Sequence, residues 1–178
     1  PNIRIKISNI STPQALSMLK DGLIDLAFVT SPFDLDRDLS ESELCSFNEI
    51  AVCGESFRNI SNDTFSLSQI AEYPIISMGA RTSTYRFYSQ LFLKHGLTFS
   101  PDIEAATADQ IMPLVEHNLG ISFVPEVFFN INQNEGIFRI NLNEDIPSRS
   151  VCLIKKRDRT LSPPAKELER MVTQTEFE

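Results

Sequence analysis

A chain of 178 residues is long enough to bury a proper core, as one domain or as two small lobes. With 42% apolar and 22% charged residues it reads as a folded globular protein, not a disordered one, and no apolar run approaches the roughly 20 residues that span a bilayer. The net charge of −8 argues against nucleic-acid binding by this chain itself, because that affinity comes mostly from Lys and Arg neutralising phosphates.

In chain order, Ile3, Ile5 and Ile7 alternate with Arg4, Lys6 and Ser8, the period of a half-exposed strand. Ser11-Thr12-Pro13 offers hydroxyl caps with proline at the start of a helix, where a missing N–H is harmless. Ala15, Leu16 and Leu19 make its stripe and Gly22 its left-handed end. Ile24 to Val29 is almost continuously apolar, so strand, helix and strand predict a βαβ unit with a parallel sheet. Residues 31–45 are polar and acidic and read as a surface connection. A strand is expected at Glu49–Cys53, a helical turn at Leu67–Ala71 and a strand at Ile75–Met78. The clearest helix runs from Thr82 to His95, with Tyr85, Tyr88, Leu91, Phe92 and His95 on one face and Gly96 after it.

Asp102–Ala106 reads as a strand. Thr107-Ala108-Asp109-Gln110 has the form of a capping box, opening a helix through Leu119 that contains Pro113. That proline should kink the helix or free the Asp109 carbonyl. Ile121–Pro125 and Val151–Ile154 read as buried strands and Ile137–Leu142 as an alternating one. Ser162-Pro163-Pro164-Ala165 caps a last helix with Leu168, Met171 and Val172 inward. The class is α/β, without an internal repeat or a tether between domains.

Three segments carry a resemblance. Asp21-Gly22-Leu23-Ile24-Asp25-Leu26-Ala27, then Val115 through Gly120 with Ile121-Ser122-Phe123-Val124-Pro125, then Arg157 through Ala165 together resemble the effector-binding domain of LysR-type transcriptional regulators. The resemblance implies a two-subdomain fold of the periplasmic-binding-protein type 2, with mixed, mostly parallel sheets and a ligand cleft between the lobes. Subdomain I would be residues 1–46 and 152–178, subdomain II residues 47–151. It also implies that the family's DNA-binding winged helix and the first strand and helix of its effector domain are absent from this sequence. That strand would lie between the first two strands, so apolar edges should be exposed. DNA would then be bound only through the absent domain.

The strongest candidate site is Arg81-Thr82-Ser83-Thr84 with Arg86. A helix N-terminus offers free N–H groups and partial positive charge to an anion, and capping alone accounts for one hydroxyl of the three. Thr12, with Ser11, matches a helix start at which the family contacts effector, and it is equally a capping threonine. Thr107 could face the same cleft, although a capping box with Gln110 is the plainer use. Pro125 ends the family's second segment and is carried over with it.

No catalytic, metal or cofactor residues are expected. His95 and His117 lack a partner at metal spacing, and no G-x-S-x-G, H-E-x-x-H or phosphate loop occurs. The three cysteines, Cys45, Cys53 and Cys152, read as reduced thiols of a cytoplasmic protein, since no signal peptide opens the sequence. The expected partners are a small effector, an organic anion, and further copies of the chain: a homodimer, and a tetramer in the full-length form. No membrane partner is expected. The alternative is the solute-binding receptor of a transporter, which shares the fold.

Overall fold

The computed structural model describes residues 3–132 and 136–175; Pro1 and Asn2, the start of the expected opening segment, lie outside them. The chain divides into two units, one of residues 1–46 and 150–178 and one of residues 47–149, so it passes between them twice.

In the first unit, α1 (Thr12–Lys20) starts at Ser11, whose backbone N–H and hydroxyl both reach Gln14 Oε1, at 3.2 and 3.0 Å. Pro13 is thus the second helical residue. The helix ends as expected at Gly22, with φ +70°, and Leu23 N donates to Met18 O at 2.9 Å. A three-stranded sheet in the order β1 (Ala27–Thr30), β9 (Arg149–Lys156), β2 (Leu39–Phe47) carries it. Ala15, Leu16 and Leu19 of the helix pack on Ala27, Val29, Leu39, Cys152 and Ile154.

Two expectations fail in this unit. Residues 3–10 form no strand: the side chains of residues 3–9 stand in solvent, Ile7 at 89% exposure, Ile10 packs on the core of this unit, and no described strand pairs with them. A strand is held by its ladder, and alternation alone gives an extended segment nothing to bond. The βαβ unit is accordingly missing, and β1 runs antiparallel to β9, with Ala27 opposite Ile154 and Thr30 opposite Val151. The acidic connection also proves to contain a nine-residue strand, β2, of which only Leu39 is buried. It holds its place by backbone pairing with β9 and by Ser150 Oγ donating to Glu43 Oε1 at 2.8 Å. Near it the basic run is fully engaged. Lys155 pairs with Glu169, and Lys156 Nζ donates to Lys20 O at 2.9 Å. Arg157 Nε donates to Arg37 O at 3.1 Å and Arg159 Nη1 to Gly22 O at 2.9 Å.

The second unit is a six-stranded sheet, β4 (Thr64–Phe65), β8 (Ile137–Leu142), β3 (Glu49–Gly54), β7 (Ile121–Pro125), β5 (Ile75–Met78), β6 (Ile103–Ala105), in that order. Its pairings are mixed: β4 with β8, β7 with β5 and β5 with β6 are parallel, and β3 is antiparallel to both β7 and β8. One face carries α3 (Ser83–Lys94) with α2 (Leu67–Ile70) and a 3-10 turn at Glu55–Ser61; the other carries α4 (Ile111–Glu116). Strand side chains alternate between these layers. Ala51, Cys53, Ile75, Ile121 and Phe123 meet α3, whereas Ile50, Val52, Ile76 and Val124 meet α4. α5 (Glu126–Asn132) follows β7, and α6 (Pro163–Gln174) closes the first unit behind its Ser162 cap.

Details of three helices differ from the pattern read in sequence. The buried face of α3 is Ser83, Phe87, Tyr88, Leu91 and Phe92, while Tyr85 is half-buried and His95 is exposed. In α6, Ala165 is buried, Leu168 and Val172 are half-buried and Met171 faces solvent. Pro113 causes no conflict. A 3-10 turn at Ala108–Gln110 precedes α4, which begins at Ile111 and ends at Glu116 rather than Leu119, so Pro113 stands in the first turn, where the N–H it lacks would have had no partner within α4.

Gly120, before β7, is required by a close approach. A Cβ there would stand 2.5 Å from Pro74 O, the same carbonyl that accepts Ile121 N at 2.9 Å. Backbone cannot yield as a side chain does. Gly120→Ala is therefore expected to lower stability by about 1–3 kcal/mol, measured as a lower urea midpoint with unchanged slope; a midpoint equal to that of the unsubstituted chain would contradict the packing described here.

Candidate functional site

Because β7, β5 and β6 are parallel neighbours, the loops leaving their carboxyl ends lie together along one edge of the sheet. That edge is where ligands of open α/β sheets bind. It gathers Arg81–Thr84 after β5, Thr107 after β6, and Pro125 at the end of β7. Glu49 joins them, since it opens the antiparallel β3 directly opposite Pro125. Ser11 and Thr12, at the start of α1, belong to the other unit.

The hydroxyls at the start of α3 are not equivalent. Thr82 is the cap: its Oγ1 accepts from Tyr85 N at 3.1 Å and donates to Gly79 O at 2.8 Å. Ser83 is buried, and Thr84 is half-buried. Arg81 is exposed and Arg86 half-buried. Thr107 opens its turn with Gln110 Oε1 accepting from Ala106 N at 3.0 Å and Thr107 N at 3.4 Å, the capping arrangement read in sequence. The exposed Glu104 carboxylate lies against Gly79 and sets a negative charge at the rim.

Beneath this edge is an ion pair that the sequence did not announce. Arg149 Nη1 donates to Glu49 Oε1 at 2.6 Å, with side-chain exposures of 3% and 0%. Arg149 Nη2 also donates to Thr84 Oγ1 at 3.3 Å, and its guanidinium lies over the rings of Phe87, at 5.0 Å, and Phe47, at 5.6 Å. Burial pushes the Glu49 carboxyl above its ordinary range, while Arg149 and the Tyr88 hydroxyl pull it the other way. The same burial holds the Tyr88 phenol far above its usual value. Ser77, on the face of β5 that Ile75 turns toward α3, is buried too, and its Oγ meets no hydrogen-bond partner among the described residues. Glu49, Arg149 and Thr84 are thus joined in one hydrogen-bonded chain at the first turn of α3. Alternation along β3 could have shown Glu49 as an inward charge; its partner 100 residues away could not be read.

Cys45 and Cys152 belong to the first unit, and Cys53 lies near the end of β3 away from Glu49. Burial raises Cys53 to about 11 and Cys152 to about 12, and neighbouring glutamates add to both shifts. Among the described residues no group of His, Cys, Asp and Glu could hold a metal ion, and no helix is long and apolar enough to cross a membrane.

The sequence matches the family described as LysR substrate binding domain over residues 1–176. It is 23% identical over 141 residues to the HTH-type transcriptional regulator SsuR of Burkholderia cenocepacia, an alignment covering 79% of this chain and 46% of that protein. The chain thus spans under half the length of that relative. Among solved structures, the effector binding domain of QuiR in complex with shikimate superposes with a TM-score of 0.79 at 19% identity, covering 92% of this chain and 77% of that one. The regulatory domain of Synechocystis PCC6803 CcmR in complex with 2-PG gives 0.78 at 13% identity, covering 92% and 78%. These likenesses show a fold of the periplasmic-binding-protein type 2.

Two outcomes are expected from this geometry. Arg149→Met leaves a buried carboxylate without its partner and should cost about 3–5 kcal/mol at pH 7 by urea unfolding; a loss under 1 kcal/mol would mean that the pair is not buried as described. The folded-state pKa of Glu49 is raised, so the native state holds the proton more tightly and stability from this group falls as pH rises from 4.5 through the folded value. Glu49→Gln removes that term. The stability difference, native sequence minus Glu49→Gln, should therefore decline with rising pH, and a rising difference would show that the attraction to Arg149 outweighs burial.

Proposed function

The chain belongs to the LysR substrate binding domain family, and from that premise we propose that it senses a small organic anion at the first turn of α3 and thereby modulates DNA binding by a longer protein. A regulator of this family is not an enzyme, and the work asked of the site is binding alone. In the longer protein DNA is contacted by a separate helix-turn-helix module, copies associate as dimers and tetramers, and the protein acts in the cytoplasm. The observation that carries this reading is the convergence of Arg81, Thr84 and the N–H groups of α3 at the carboxyl ends of β5, β6 and β7, over the buried Arg149. Thr107 and Pro125 border the same edge.

Charge supports the choice of ligand class. A helix N-terminus favours an anion, and exposed Arg81 adds a cation at the rim. Glu104 opposes a large negative charge, which favours a small, singly charged species. Such a ligand changes transcription only through unequal affinity for two states of the sensor.

Thermal unfolding in the presence of sulfate, phosphate, benzoate, shikimate and 2-PG tests the reading. An anion at a hundred times its Kd stabilises by about 2.7 kcal/mol, which for a chain of this size raises Tm by about 5–10 °C. A rise of that size with at least one anion, abolished by Thr84→Val and Arg81→Ala together, is expected. No shift with any of the five, or chemical turnover of one, would overturn the proposal.

A further inference from the structure

We propose that Arg149 is a positioning residue that turns the Thr84 hydroxyl proton away from the buried pair and so favours ligands presenting acceptor oxygens, such as carboxylates and related oxyanions. The inference rests on the reading that the first turn of α3 binds the effector.

A threonine hydroxyl carries one O–H donor and two acceptor lone pairs, and its direction is ordinarily free. At Thr84 that freedom is narrowed. Arg149 Nη2 donates to its oxygen at 3.3 Å, and a guanidinium donates only, so the Thr84 proton must point away from Arg149. Arg149 itself cannot turn aside. Its other nitrogen is fixed on Glu49 at 2.6 Å, its plane lies against Phe87 and Phe47, and the pair is shut off from water. The neighbouring hydroxyls do not share this property. Thr82 uses its proton on Gly79 O and a lone pair on Tyr85 N.

A second observation points the same way. Ser77 Oγ, 4% exposed and without a hydrogen-bond partner among the described residues, lies on the α3-facing side of β5, two residues before the turn at Gly79. A buried hydroxyl left unpaired carries a desolvation penalty. A hydrogen-bonding group reaching it would relieve that penalty, and an apolar ligand would not. Two hydroxyls and the helix N–H groups thus offer donors, and an ammonium, which cannot accept, gains least there.

A double-mutant cycle on the whole chain tests this, using calorimetric titration with sulfate, phosphate, benzoate, shikimate and 2-PG. Thr84→Val should weaken binding of whichever of these anions binds by about ten- to a hundredfold, and Thr84→Ser should restore it to within about threefold. The neutral pair Glu49→Gln with Arg149→Gln should cause a similar loss, and adding Thr84→Val to that pair should cause no more. Should the neutral pair not fold, Arg149→Lys carries the cycle, since it keeps a cation against Glu49 and lacks the second nitrogen. Losses that multiply instead of merging, or an Arg149 variant that folds and binds as the native chain does, overturn the role of Arg149 and leave the site standing. Failure of the native chain to bind any of the five anions overturns the site itself, and this inference with it.

Discussion

The buried pair of Glu49 and Arg149 is the constraint on which this architecture turns. Each residue is within three positions of a point where the chain passes from one unit to the other. Two charges removed from water gain little net stability, because desolvation offsets most of their attraction. What they supply is uniqueness of arrangement. Phe47, Phe87, Tyr88 and Thr84 are all set around one guanidinium, and a slip of β3 by one residue would send Glu49 to the α4 layer.

From that constraint the candidate site follows in order. Parallel pairing of β7, β5 and β6 brings three loops to one edge, and capping fixes Thr82 and Thr107 as the residues that open the following turns. Arg81 is left exposed, and Thr84 is half-buried on Arg149. Capping and binding were competing readings of one short segment; the geometry assigns capping to Thr82, while the Thr84 hydroxyl serves no cap and accepts from Arg149.

Much of the fold was legible because local and tertiary demands agreed. The cap at Thr82, the box at Thr107 with Gln110, the glycine at 22 and the runs at Ile75, Ile121 and Ile137 each satisfy the backbone where they stand. Ile3 to Ile7 failed since alternation says which face a strand would bury and nothing about whether a partner strand exists. β2 was hidden because its Ser and Glu side chains are exposed while only its backbone is paired. The helix face at α3 was misjudged at Phe87 and His95 because Phe87 is needed as a cover for Arg149. Arg149 itself sits between two serines in a polar stretch, and only a fold that joins positions 100 residues apart gives it a role.

The discontinuity of the first unit has a kinetic meaning. Its strands and hydrogen bonds join residues such as Ser31 and Ser150, 119 positions apart, whereas the second unit is one unbroken stretch. Closing a loop that long is entropically unfavourable before any contact rewards it, although each doubling of length adds only about 0.6 kcal/mol. Folding of the inserted unit shortens the effective loop by bringing Phe47 and Arg149 onto the same guanidinium contact. Loop-closure entropy thereby favours folding of the middle of the chain before its two ends are joined in a common sheet.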